Sequence, residues 1–189
     1  MLKIEHRTLK TKSLILRRPL IIDAEDIFVC TSNPRVCRYE LWYRHENIMD
    51  SFSFINNLMS QYDMGTCTDW IIVEKESQKA IGIINFHDFQ GNTAYVGYWI
   101  GEEYWNKGYA SEALYEIVKN AFEKWGFTDL FALCHPSNPS SQKVLTKCGF
   151  NFIGKQKTNK FQNCENDVAT DFLLYFNYKV SEYNSKSSQ

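Results

Sequence analysis

The segment Gly97-Tyr98-Trp99-Ile100-Gly101-Glu102-Glu103-Tyr104-Trp105-Asn106-Lys107-Gly108-Tyr109-Ala110-Ser111-Glu112-Ala113-Leu114 carries the strongest chemical signal in the chain. A strand-like run passes into a loop of small residues, and the loop opens straight into a strongly patterned helix. The first amides of a helix find no acceptor inside it. They also carry the positive end of the helix dipole, so a phosphate facing them is held by both effects. Gly108 and Ala110 have little or no side chain, which lets the backbone approach phosphate oxygens, and Lys107 adds positive charge. The spacing is neither G-x-x-x-x-G-K-[ST] nor G-x-G-x-x-G, so a nucleoside triphosphatase or a Rossmann dehydrogenase is unsupported. A tight turn at Gly108 is the plain structural alternative for this loop taken alone.

A second stretch, Asn138-Pro139-Ser140-Ser141-Gln142-Lys143-Val144-Leu145-Thr146-Lys147-Cys148-Gly149-Phe150, follows on the next helix. Together the two stretches resemble the GNAT superfamily of acetyl-CoA-dependent N-acetyltransferases. The nearer likeness is to its ribosomal-protein N-terminal acetyltransferase branch, the RimJ/RimL-like group. That branch reads G-Y-W-[IL]-x-x-x-x-W-x-x-G-[YI]-[AM]-[ST]-E-[AS], then N-x-x-S-x-x-[VL]-x-x-K-x-G-F. The opening Leu14-Ile15-Leu16-Arg17-Arg18-Pro19 and the ending from Asp171 to Tyr175 also look like this branch, so the likeness runs from about Leu14 to Asn177.

The resemblance implies a mixed sheet that splays open between the strand ending near Ile100 and the strand ending near Cys134, with acetyl-CoA in the opening. Backbone groups of Tyr98, Trp99 and Ile100 would pair with pantetheine amides. The pyrophosphate would sit on the amides of Asn106, Lys107, Gly108, Tyr109, Ala110 and Ser111. The superfamily writes this loop [QR]-x-x-G-x-[GA], and Trp105 stands here at the Q/R position. That change removes a polar contact and leaves the amide cradle. Asn138 would hydrogen-bond the pantetheine arm, while also being a good helix N-cap; Ser141 would approach the thioester sulfur, and Lys147 completes the cofactor-binding set.

The implied reaction is direct attack of a neutral amine on the thioester carbonyl, helped mostly by holding the reactants together. Backbone amides near Ile100 are placed to stabilise the oxyanion. A base is needed because an amine is largely protonated at pH 7. Many members carry a tyrosine acid four residues before the Gly-Phe pair; Leu145 occupies that place, and Ser141 is the named substitute. For the base, His87 and Asp88 sit where the second meander strand ends, and Glu102 and Glu103 sit just after the cleft strand. Histidine titrates near neutrality, which suits a base, yet each of these residues also reads as a solvated surface group, and water can carry the proton. Trp42 and Tyr43, between Glu40 and Glu46, are candidates to line an amine pocket, whereas Phe52 and Trp70 read as core.

The elements that must position these residues alternate along the chain. Leu14 to Arg17 reads as a strand, and Asp23 as the N-cap of a short helix with Asp26 at its third position. Phe52, Ile55, Leu58, Met59 and Tyr62 recur at helical spacing behind Asp50 or Ser51 as the cap. Trp70 to Glu74, Ala80 to His87 and Thr93 to Ile100 read as a meander, with turns at Ser77-Gln78-Lys79 and at Asp88 to Asn92. Leu114, Ile117, Val118, Ala121, Phe122 and Trp125 form one apolar stripe on a helix from about Ala110, ended by Gly126. Leu130 to Cys134 is a strand, Ser140 to Cys148 a helix opened by Asn138-Pro139, and Phe152 to Lys157 and Phe172 to Tyr178 are the last strands. The expected class is α+β, or mixed α/β, with a mostly antiparallel sheet flanked by helices. One N-acetyltransferase domain is expected over 1–189, with a core from about 14 to 177 and frayed ends.

Composition agrees with a globular domain. Aromatic residues make up 15% of the 189, which excludes disorder for the body of the chain. Basic residues number 21 and acidic ones 22, so the excess of a dedicated nucleic-acid binder is missing. The apolar run nearest the start is broken at Arg17, Arg18 and Pro19, which argues against a secretory signal. None of the six cysteines forms a C-x-x-C pair, so they read as reduced and mostly structural. A cytoplasmic protein, monomer or homodimer, is expected, with acetyl-CoA and an amine as partners, and no metal, membrane or direct nucleic acid. The amine is a protein N-terminus or a small molecule. A non-catalytic acyl-CoA-binding sensor is the competing reading.

Overall fold

The computed structural model describes residue 4 and residues 8–66, 68–158 and 172–187. They fall into two compact units: one holds the described residues of His6–Asn85 and Tyr98–Ala113, the other those of Phe86–Gly97 and Leu114–Gln189. Eight strands run in the order β1-β2-β3-β4-β5-β6-β8-β7. Long strands β4 (Ala80–Gln90) and β5 (Thr93–Ile100) each contribute to both units.

In the first unit β1 (Leu9–Lys10), β2 (Leu14–Arg17), β3 (Asp69–Glu74) and β4 pair antiparallel in succession. The polar, basic start of the chain predicts fraying; instead Leu9 pairs with Leu16 and Lys10 with Ile15. Strand β3 is buried at every position from Trp70 to Glu74, the signature of a strand covered on both faces. Its core joins Ala24 and Ile27 of α1 (Asp23–Thr31) and Ile55 and Leu58 of α3 (Ile48–Asp63) to Ile71, Val73, Ala80 and Ile83. Between these helices lies α2 (Pro34–Cys37), a single turn capped by Asn33.

Two caps differ from those the sequence predicts. Asp23 is the first helical residue and Ile22 stands at the cap position without a side-chain bond. The Asp23 carboxylate is buried and instead accepts two hydrogen bonds from the Arg17 guanidinium, at 2.5 and 2.8 Å, and one from the Leu20 amide. An ion pair of that geometry outcompetes the helix amides for the same oxygens. Helix α3 starts behind Asn47, and Asp50 is the third-position partner of a capping box.

Helix α4 (Tyr109–Asn120), which also contributes to both units, is the crossover between β5 and β6 (Asp129–Cys134), which run parallel. The stripe from Leu114 to Trp125 is buried as its spacing requires, but the last turn, Ala121–Trp125, is a π-helix that closes with Phe127 N on Ala121 O. The wider turn sets Trp125 edge-on to Phe86 at 6.1 Å while Phe127 stacks on the same ring at 4.9 Å. Strand β8 (Phe172–Lys179) inserts antiparallel between β6 and β7 (Asn151–Lys157). The parallel ladder of β5 on β6 has three pairs, from Thr93↔Asp129 to Tyr95↔Phe131, and no further pair occurs among the described residues.

The composition of the tail from Ser181 also predicts fraying. Its residues to Ser187 instead continue α6 (Val180–Ser187): Tyr183 is buried, packs on Phe122 at 5.5 Å and donates to Glu123 at 2.5 Å. Four cysteines, 30, 37, 134 and 148, are buried thiols. Cys67, Cys164, Asp171 and the last two residues lie outside the described residues.

Candidate active site

The end of β5 brings Tyr98, Trp99 and Ile100 to the mouth of the loop. Here β4 approaches so closely that a Cβ on Gly82 would lie 2.2 Å from the Trp99 carbonyl oxygen. Gly101 N donates to Ile81 O at 2.8 Å and closes this pairing. After a 3-10 turn, Glu102–Tyr104, the Trp105 indole donates to Ile100 O at 2.7 Å. Trp105 thus ties the loop back onto the strand it left, a structural use for an aromatic at the position where the superfamily writes Q or R.

Asn106 and Gly108 both adopt positive φ, 62° and 84°, and turn the chain into α4 around Lys107. A Cβ on Gly108 would meet nothing within 4 Å, so glycine is needed there for its backbone conformation and not for room. The first helical bond runs from Glu112 N to Gly108 O, and the amides of Tyr109 and Ala110 precede it, at the positive end of the helix. Two carboxylates hold this helix start. Glu112 accepts from Thr11 Oγ1 at 2.5 Å and from Ser13 N at 2.6 Å. Glu74, buried at the end of β3, accepts from the Tyr109 hydroxyl at 2.6 Å and lies 3.7 Å from Lys107 Nζ. The hydroxyls of Tyr109 and Ser77 keep Glu74 below the usual carboxylate range, and the same bond pushes Tyr109 up to about 12. Lys107 lies over the rings of Tyr104 and Tyr109, at 4.9 and 5.7 Å, so its charge is shared between Glu74, the rings and anything bound ahead of the helix. A pyrophosphate fits this cradle: the turn is exposed, and glycine and alanine flank Tyr109 where the helix begins.

Glu102 has both oxygens engaged, one by Asn33 Nδ2 at 2.7 Å and the other by the Arg35 guanidinium, which also lies over the Trp105 ring at 5.6 Å. It ties the N-terminus of α2 to the loop.

In the second unit Asn138 caps α5 (Pro139–Lys147), its Oδ1 accepting from Ser141 N at 3.1 Å. That leaves the Asn138 side-chain amide NH2 to donate elsewhere. Ser141 lies in the first turn and Lys147, exposed, in the last. Leu145 is buried and belongs to the core. His87 and Asp88 lie within β4, three and two residues before its end; the strand runs on to Gln90, past the turn expected at Asp88. Both are exposed, 3.1 Å apart, with His87 stacked on Tyr95 at 5.7 Å.

One member of a cluster in the connection between α2 and α3, His45, escapes a reading of the sequence. Trp42 packs on Trp99 at 5.7 Å and also meets His45, at 6.2 Å, whose ring meets Phe54 edge-on. The Trp42 indole donates to the Glu40 carboxylate, yet burial pushes Glu40 up to about 7. Trp42 and Glu40 carry a signal, an aromatic pair between acidic residues; His45 carries none, because its partners Thr31 and Ser51 sit on two different helices that only the fold brings to it. Among the described residues no group of three or more His, Cys, Asp or Glu is placed to hold a metal ion, and no helix is long and apolar enough to cross a membrane.

The family described as acetyltransferase (GNAT) domain matches residues 13–151. An uncharacterized N-acetyltransferase, YoaA of Bacillus subtilis (strain 168), is 33% identical over 157 residues, 82% of this chain and 89% of that protein. The ribosomal-protein-serine acetyltransferase of Escherichia coli (strain K12) is 28% identical over 102 residues, 53% of this chain and 55% of that one. The crystal structure of the microcin C7 self-immunity acetyltransferase MccE in complex with acetyl-CoA and AMP superposes with a TM-score of 0.75 at 21% identity, over 89% of this chain and 93% of that one. At that identity the last likeness speaks for the fold alone. The family match and the relative one-third identical along most of both chains leave one assignment: this chain belongs to the GNAT family, the N-acetyltransferases that draw their acetyl group from acetyl-CoA.

Proposed function

We propose that the chain transfers the acetyl group to a primary amine, at a protein N-terminus or on a small molecule, by direct attack in a ternary complex. The observation that carries this is the parallel ladder of β5, which stops at Tyr95 and leaves the strand to run on to Ile100. In this reading the backbone of Tyr98, Trp99 and Ile100 holds the pantetheine arm. The loop amides from Asn106 to Ser111 hold the pyrophosphate, with Trp105 fixing the loop, and Lys107 and Lys147 supply charge. Asn138 donates to the arm through its side-chain amide, and Ser141 is the acid for the leaving thiolate. Its proton is needed because Leu145 has none to give. His87, Asp88 and Glu102 are the bases the sequence suggests; the engagement of both Glu102 oxygens favours a structural role for it. The family match runs through residues of both compact units, which supports reading the chain as one acetyltransferase domain, and we take it as cytoplasmic.

The test has two steps. Acetyl-CoA at about 100 times its dissociation constant adds roughly 2.7 kcal/mol, which raises the melting temperature by about 5 to 11 °C for a domain of this size; free CoA also raises it, and ATP does not. A panel of peptides with free N-termini and of small amines is then offered with acetyl-CoA, and thiol release and acetylated product are measured. Amine-dependent release is expected. Binding without release for any amine would remove the enzyme reading of this site.

A further inference from the structure

We infer that His45 takes the proton from the attacking amine, through its Nε2 atom, so that the connection between α2 and α3 forms the acceptor side of the active site. This rests on the acetyl-transfer reading above. The other ring nitrogen fixes the tautomer. Nδ1 lies 2.9 Å from Thr31 Oγ1 and 2.6 Å from Ser51 Oγ. The Thr31 hydroxyl proton is already used, donated to Ile27 O at 2.8 Å. With that proton on Ile27 O, Thr31 accepts toward His45, and we assign the hydrogen to Nδ1; the Ser51 hydroxyl, which can donate or accept, then accepts as well. In a neutral imidazole that places the lone pair on Nε2, which hydrogen-bonds to no described residue. Both hydroxyls belong to buried residues, on α1 and α3, so the tautomer is fixed by the core.

The ring is also held in place. His45 N donates to Thr31 O at 3.2 Å, Phe54 meets the ring edge-on at 5.7 Å, and Trp42 lies against it. Trp42 in turn packs on Trp99, one of the strand residues assigned to the pantetheine arm. His45 is thus one indole away from that strand. Burial lowers its pKa below the usual histidine value of 6.5, so the ring is neutral at pH 7. One charged side chain bears on it, Asp50 on α3, which pulls its pKa upward against the effect of burial. By contrast, His87 is solvent-exposed and Glu102 is engaged at both oxygens.

The step balances. The amine lone pair forms the C–N bond to the thioester carbonyl, and the nitrogen loses one proton to Nε2. The C–S bond breaks, its electron pair leaves on sulfur, and the thiolate takes a proton from Ser141, which regains one from water as His45 returns its own to water. A positioned base of this kind contributes about 10²- to 10⁴-fold.

Two measurements test it. In the whole protein, nitrogen-15 NMR of the imidazole needs no substrate: the Nδ1–H tautomer with a bare Nε2 is expected, and the Nε2–H tautomer overturns the assignment. In the second, His45→Asn keeps a donor toward Thr31 and Ser51 but has no base. With acetyl-CoA affinity and melting temperature within error of wild type, kcat/KM falls about 100-fold or more. The rise of rate with pH as His45 loses its proton, which burial sets lower than for an ordinary histidine, also disappears. A folded His45→Asn that keeps half its activity and the same pH profile overturns the role of His45 alone. A wild type that binds acetyl-CoA and turns over no amine defeats the underlying reading instead. Should His45→Asn not fold, the tautomer of the wild type decides.

Discussion

Gly82 is the residue on which the donor strand most directly depends. No other side chain leaves room for β4 beside the Trp99 carbonyl, because the clash at 2.2 Å is with backbone, which cannot rotate away. Gly82→Ala must therefore displace Trp99 and crowd Ile100, whose Cα and Cδ1 would lie 3.1 Å from the new Cβ. Overpacking of this kind costs about 1 to 3 kcal/mol, a fall of about 2 to 12 °C in melting temperature for a chain of this length. The loss should not stop at stability. The displaced carbonyl lies in the segment assigned to the pantetheine arm, so acetyl-CoA affinity should drop about tenfold or more, which titration calorimetry measures. An unchanged affinity would move the arm off this strand. Cys30, beneath Gly101, adds no chemistry to this place: burial, with Asp26 nearby, pushes its thiol up to about 12.

At the scale of elements, α6 is where sequence and structure part. The stretch after Val180 has one large apolar side chain among polar ones, and a single aromatic gives no period to read. What folds it is tertiary: Tyr183 reaches Phe122 and Tyr178, and its hydroxyl reaches Glu123. Tyr183→Ala should cost about 3 kcal/mol, seen as a lower urea midpoint, with kcat for any accepted amine nearly unchanged. The strands and the stripe of α4 are legible because their periods are local and long. The turn into α4 is legible because Gly108 stands directly ahead of that stripe, where a tight turn needs the same glycine that a phosphate cradle would. Caps mislead where a distant partner wins, as at Asp23, whose carboxylate goes to Arg17. The π turn at Ala121 is invisible, since the same apolar residues suit an ordinary last turn. His45 is hidden for the reason α6 is: its meaning comes from Thr31, Ser51 and Trp42, which the fold and not the local pattern brings to it.

For the molecule as a whole, Glu40 gives stability an unusual dependence on pH. In the unfolded chain a glutamate releases its proton near 4.5, whereas in the folded protein burial raises Glu40 to about 7. Between those values the native state holds a proton that the unfolded state has lost, so stability falls as pH rises through this window and levels off above it. Two other groups act in the opposite sense. Glu74, held low by Tyr109 and Ser77, contributes stability that is lost as pH falls into the carboxylate range. His45, held low by burial, contributes stability that is gained as pH rises through the histidine range. The raw pH profile mixes all three, and a difference between two proteins isolates one. Glu40→Gln keeps an oxygen to accept from the Trp42 indole and has no proton to release. Urea unfolding of both proteins should therefore give a stability difference that favours the variant progressively from about pH 4.5 to about pH 7 and is constant beyond. The slopes due to Glu74 and His45 cancel in that subtraction. A flat difference across the window would mean that water reaches the Glu40 carboxylate beside Trp42.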